Sequence, residues 1–130
     1  MAEKYYLKSK DVGEGAYLIG ELVRLAKGEY RFRYMLPGDR FPDWYVQIPG
    51  FRDTRRIYET QEVKRYIIHR IVPDEGTWAA RVIMAQNGIT AYDEWDILVA
   101  LIDQHALYQF GSQPLSDSHE LFYFYSTIHE

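Results

Sequence analysis

Cysteine is absent from the chain, which removes disulfides, thiolate nucleophiles and thiolate metal sites together. No apolar run approaches the roughly 18 residues that cross a bilayer. The opening MAEKYYLKSK lacks the apolar segment and small-residue cleavage site of a secretory leader, so a cytoplasmic compartment is expected. Glycine forms no phosphate cradle: Gly13, Gly15 and Gly20 in GEGAYLIG have neither dinucleotide-binding nor P-loop spacing and open no helix, and turn or strand roles explain them. The four histidines include no i, i+4 pair on a helix, so there is no zinc signature. Basic charge is short as well. A net charge of −4 and a pI near 5.6 oppose a whole-surface attraction to nucleic acid.

What is present is a single domain's worth of chain, residues 1–130, with 47% apolar and 26% charged residues, enough for a packed core and against disorder. The charge is uneven. Between Phe51 and Ile71 six basic residues stand against three acidic ones, giving +3 and leaving −7 elsewhere. Aromatic content is high, with twelve tyrosines. Tyrosine offers contact area at little rotamer entropy, so the excess suits a binding surface as well as it suits a tyrosine-rich core.

Period-two alternation over Tyr17–Leu25 and over Tyr30, Phe32 and Tyr34 predicts a hairpin, with Gly28 supplying the turn. Pro37-Gly38-Asp39-Arg40 breaks the chain, and Trp44 to Ile48 reads as a third strand. The period then becomes helical. Thr60 is placed to cap a helix carrying Val63, Tyr66, Ile67, Arg70 and Ile71, which Pro73 ends. Thr77 is placed to cap a second carrying Trp78, Val82 and Ala85, stopped by Asn87-Gly88. Asp93, Glu94 and Asp96 precede a third with Trp95, Leu98, Val99, Leu101 and Ile102. Ala106–Phe110 and Glu120–Ile128 read as strands. The latter is apolar on both faces, so a central or covered position is expected. Strands, helices, then strands make an α+β fold: a small antiparallel β-sheet with a cluster of about three helices.

No constellation has reactive spacing. Asp93, Glu94 and Asp96 are explained by helix capping, and His119 among Asp117, Ser118 and Glu120 has neighbours too close in sequence to converge as a relay. No catalytic residue, cofactor or metal is expected. Arg52, Arg55 and Arg56 form a basic cluster that could meet phosphate or an acidic protein surface, although solvated arginines are the commoner meaning. Trp78, in the first turn of a helix, is either core or a protruding anchor; the pattern alone favours core.

The stretch IGELVRLAKGEYRFRY resembles the opening of HipA-type kinases, whose N-terminal subdomain begins with a VGEL-like strand, a glycine turn and a strand ending F-x-Y. IPGFRDTRRIYETQEVKRYIIHRIVPDEG is similar to the family's next segment, a proline-terminated strand, a loop and a helix ending in a Leu-Leu-Pro-Glu-like motif. Here that motif is Ile71-Val72-Pro73-Asp74, and Glu75-Gly76-Thr77-Trp78 is similar to the glycine-tryptophan that follows. AYDEWDILVALI and ALYQFGSQP resemble the later helix and closing strand. The likeness covers about residues 17–112, with 113–130 as an extra aromatic strand. The glycine-rich close is replaced by Asp103-Gln104-His105-Ala106-Leu107, Gly76 and Trp78 are one residue further apart, and neither the ATP-binding lobe nor a catalytic aspartate loop is present.

The resemblance implies a non-enzymatic, bacterial protein-binding module, comparable to the stand-alone HipS-like small subunit. Such a module is an antitoxin or regulator that docks on a HipA-type Ser/Thr kinase and blocks it sterically, with a DNA-binding antitoxin as a further partner. It also implies that Trp78, flanked by Asp74 and Glu75, is the anchor, with Tyr66 or Trp44 beside it. The composition equally suits a mobile-element inhibitor such as an anti-CRISPR or other anti-defence protein. A homodimer through ELFYFYSTI stays open; neither a membrane nor direct nucleic-acid binding is expected.

Overall fold

The computed structural model describes residues 3–9, 18–35, 48, 50, 51, 53–104, 106 and 122–125. These hold an α+β arrangement. Strands β1 (Lys4–Ser9), β2 (Leu18–Ala26), β3 (Glu29–Tyr34), β4 (Ile57–Glu59) and β5 (Phe122–Tyr125) form one antiparallel sheet in the order β4-β3-β2-β1-β5. Three helices accompany them among the described residues. Helix α1 is built of consecutive segments Thr60–Val63, Lys64–Ile68 and His69–Ile71, the middle one π-helical; α2 is Trp78–Gln86 and α3 is Glu94–Asp103. None of the described helices is long and apolar enough to cross a membrane.

The hairpin is where its alternation places it. Gly28 turns at φ 76°, a left-handed conformation that costs glycine little, and a bulge between Arg24 and Ala26 sharpens the twist. Register aligns Tyr5, Leu22, Phe32 and Tyr58 across four strands as one buried row. The neighbouring row is Leu7, Gly20 and Tyr34. Gly20 has a specific reason to be glycine: a Cβ there would lie 2.5 Å from the Phe32 ring and 2.8 Å from the Arg33 carbonyl oxygen. On the other face Glu21 is buried and accepts from both Arg33 (3.2 Å) and Lys4 (3.4 Å), tying three strands together.

Aromatic rings fill the core. Trp95, fully buried, meets Tyr5 and Tyr30 at 5.7 Å each. Phe51 stacks on Tyr58 at 4.1 Å and on Phe32 at 5.3 Å. Two of the buried phenols have their hydroxyls satisfied by backbone: Tyr34 donates to the Phe51 carbonyl (2.6 Å), and Tyr58 donates to the Asp53 carbonyl (3.0 Å). Of the seven tyrosines whose side chains are described, Tyr5, Tyr30, Tyr34 and Tyr58 are buried and Tyr6, Tyr66 and Tyr92 half-buried. Among these the tyrosine excess builds core and boundary instead of an exposed sticky surface.

Local capping is mixed. Thr77 caps α2, accepting the Ala80 N–H at 3.2 Å, and Asp93 caps α3, accepting from Trp95 at 2.9 Å. Asn87 and Gly88, at φ 65°, close α2 as expected. Thr60 does not cap. It is the first helical residue of α1, and its hydroxyl bonds the backbone of Tyr30, accepting from N–H (3.0 Å) and donating to C=O (3.3 Å). The residue in the cap position is Glu59, with no side-chain cap. Helix α1 ends at Ile71, two residues before Pro73, because Val72 takes the extended conformation a following proline imposes.

Two expectations about faces change. Helix α2 buries Ala80 and Ile83, while Trp78 and Ala85 face outward. β5 stands at the end of the described strand order, paired with β1, so it is not central. The expected strand at 44–48 and that at 106–110 fall largely outside the described residues; Ile48 and Ala106, the described members, are buried and belong to no strand.

Candidate functional site

The exit of α1 and the start of α2 form a tight, exposed turn. Asp74, Glu75, Gly76, Thr77 and Trp78 are successive exposed residues, and Trp78 keeps 67% of its surface open. The turn is fixed by short bonds. Thr77 donates its hydroxyl to the Asp74 carbonyl at 2.7 Å and its N–H to the same oxygen at 3.2 Å, and Gly76 supplies φ 84°. From another segment, Tyr92 donates its hydroxyl to the Pro73 carbonyl at 2.8 Å. Burial, followed by Glu94, Asp74, Glu75 and Asp93, pushes the Tyr92 phenol up to about 12, so it is a proton donor throughout the physiological range. Of these four carboxylates Asp74 and Glu75 are exposed and make the turn itself acidic, while Asp93 and Glu94 are ion-paired.

A second cluster lies at the head of α3, and the sequence gives no sign of it beyond a helix-start acid. Glu94, whose side chain is 13% exposed, accepts from Tyr30 (3.1 Å), Lys64 (3.5 Å) and His69 (3.1 Å). Lys64 and His69 are five residues apart, a spacing that diverges on an α-helix. The π-helical segment, with the His69 N–H bonded to the Lys64 carbonyl, brings both to one carboxylate. Beside it Arg24 pairs with Asp93 at 3.3 Å, both largely buried. Desolvation, then the Glu94 charge, raises the Tyr30 phenol well above its ordinary value. An open cleft of about 190 Å³ between the hairpin tip and α3 is lined by Lys27, Gly28, Tyr92, Asp93 and Glu94. Its two carboxylates are those already engaged by Arg24, Lys64, His69 and Tyr30. The cluster therefore clamps β2, β3, α1 and α3 together.

The remaining expected site residues are dispersed. Tyr66 is half-buried, its ring lying over Gly50 (φ 91°) and meeting Phe51 edge-on at 5.8 Å, with Arg65 above it at 5.4 Å. Arg56 bonds Glu62 at 2.8 Å and covers the Tyr58 ring at 4.9 Å. Arg55 is exposed, with its backbone N–H on Asp53 at 2.9 Å. Trp44 and Arg52 lie outside the described residues. Asp74, Glu75 and Trp78 thus share one turn, while Tyr66 and Arg56 meet the core through Phe51 and Tyr58. Among the described residues no group of three or more His, Asp or Glu side chains is placed to hold a metal ion.

No protein-family model, curated protein or solved structure matches the chain.

Proposed function

We propose that the chain acts by binding another protein, with Trp78 as the anchor and Asp74 and Glu75 as its acidic flank. The observation that carries this reading is the 67% exposure of a tryptophan on a turn held by short hydrogen bonds. A large ring two-thirds open to water is available to a partner, and such rings are favoured energetic centres of protein interfaces. The partner surface that fits is a ring-sized apolar pocket with basic residues at its rim, since the adjoining turn exposes Asp74 and Glu75. The order and spacing of the HipA-like motifs support a HipA-type Ser/Thr kinase as that partner. The chain would then work as an antitoxin or regulator, by occlusion and without chemistry of its own.

The test is capture of the partner from the native host, followed by binding and kinase assays with Trp78→Ala. Loss of a centrally buried tryptophan should weaken binding by about 2–4 kcal/mol, roughly 30- to 1,000-fold. The variant should still melt within about 0.5 kcal/mol of wild type, as exposed positions do. Undiminished binding by a folded Trp78→Ala protein removes the anchor, and a captured partner without kinase activity removes the kinase.

A further inference from the structure

Residues 74–78 are exposed, and nothing lies within 4 Å of where a Cβ on Gly76 would sit, so the turn is open around that glycine. Its internal bonds, from Thr77 to Asp74, set local shape, and Thr77 ties its far side to α2 by capping that helix; the Pro73 side needs a hold of its own. Tyr92 does reach it from elsewhere, across 19 residues of sequence. That tyrosine is itself well founded. Its ring packs against the core, and the next residue, Asp93, both caps α3 and is bridged to Arg24 of β2. A line of contacts thus runs from the sheet through Arg24, Asp93 and Tyr92 to the carbonyl of Pro73.

We propose that Tyr92 is a positioning residue for the docking turn, its hydroxyl bracing Pro73 so that Trp78 is presented in one orientation before a partner arrives. This rests on Trp78 being the anchor. An exposed loop that must be ordered on binding loses affinity to that ordering, and a brace made in the free protein removes the loss in advance. Burial of the phenol, and then the carboxylates around it, disfavour the phenolate and so suit the hydroxyl to donating.

Tyr92→Phe tests this by deleting one oxygen and leaving the ring. Amide exchange at Thr77 and neighbouring turn residues should accelerate about fivefold, as expected for one lost hydrogen bond. The ¹⁵N–¹H heteronuclear NOE of the Trp78 indole should fall, with the signal assigned by its absence in Trp78→Phe. Binding to the captured partner should weaken about fivefold by the same loss. A general packing defect would instead loosen amides throughout α3 and the sheet. Unchanged exchange and an unchanged indole NOE overturn the brace. So does a loosened turn with unaltered partner affinity, since the turn's order would then be irrelevant to docking. If Trp78→Ala abolishes binding while Tyr92→Phe changes nothing, the docking reading stands and the positioning role falls. If Trp78→Ala itself is silent, the docking reading falls first and this inference falls with it.

Discussion

Replacing Glu94 by alanine removes one carboxylate and strands three donors unequally, which makes the cost calculable. Tyr30 is fully buried, so its hydroxyl loses its 3.1 Å acceptor where water cannot readily substitute; an unsatisfied buried hydroxyl costs about 1–3 kcal/mol. Lys64 is 28% exposed and can turn to solvent, so its pair contributes at most about 1 kcal/mol. His69 is half exposed and adds little. The total is about 1–4 kcal/mol, equivalent to roughly 4–16 °C in melting temperature for a chain of this size. Urea denaturation followed by tryptophan fluorescence and circular dichroism measures it, with an unchanged m-value expected. The decisive step is the double variant. Tyr30→Phe in the Glu94→Ala background removes the stranded hydroxyl and should recover about 1 kcal/mol or more of the loss, whereas Tyr30→Phe alone destabilises. A Glu94→Ala loss below about 0.5 kcal/mol, or strict additivity of the two changes, refutes the account of Glu94 as a clamp on a buried donor.

Gly20→Ala should destabilise by about 1–3 kcal/mol in the same assay, because the new methyl meets both the Phe32 ring and the unyielding Arg33 carbonyl; a neutral result would mean the sheet relaxes freely at that point. Alkaline pH should unfold the protein in a defined window. Tyr5 and Tyr92 are raised from 10.0 to about 12, chiefly by burial, so their contribution is complete below pH 10 and is lost as pH climbs from 10 to 12. Spectrophotometric titration at 295 nm should show these phenols ionising late and together with loss of structure. Phenolate absorbance completed near pH 10 without unfolding contradicts the burial.

Elements whose cause is local were legible in the sequence. The β2–β3 hairpin follows from period-two alternation and Gly28, and the starts of α2 and α3 from Thr77 and Asp93, since a cap needs only residues three or fewer positions away. What needed a distant partner was not legible. Thr60 has the chemistry of a cap, but Tyr30 of β3 competes for its hydroxyl and wins. The convergence of Lys64 and His69 on Glu94 depends on a π-helical segment that no α-period search detects. Trp78 was misdirected toward the core by hydrophobicity, whereas α2 turns its small Ala80 inward, beside Ile83. β1 gives a weak signal because it is six residues long, with lysines at positions 4 and 8 breaking its apolar look. Of the candidate site, the acidic, tryptophan-bearing turn was visible as a motif, while its bracing by Tyr92 was not.

The pairing of β1 with β5 sets the order in which the molecule can assemble. Ser9 sits opposite Phe122, so on the ribosome β1 waits, one flank satisfied by β2 and the flank that β5 covers bare, until synthesis has reached that distant strand. Such a long-range closure is slow, and the bare flank is a template for strands of neighbouring nascent chains. Yield in a recombinant host should therefore respond more to translation rate and holdase chaperones than the stability of the finished fold would suggest.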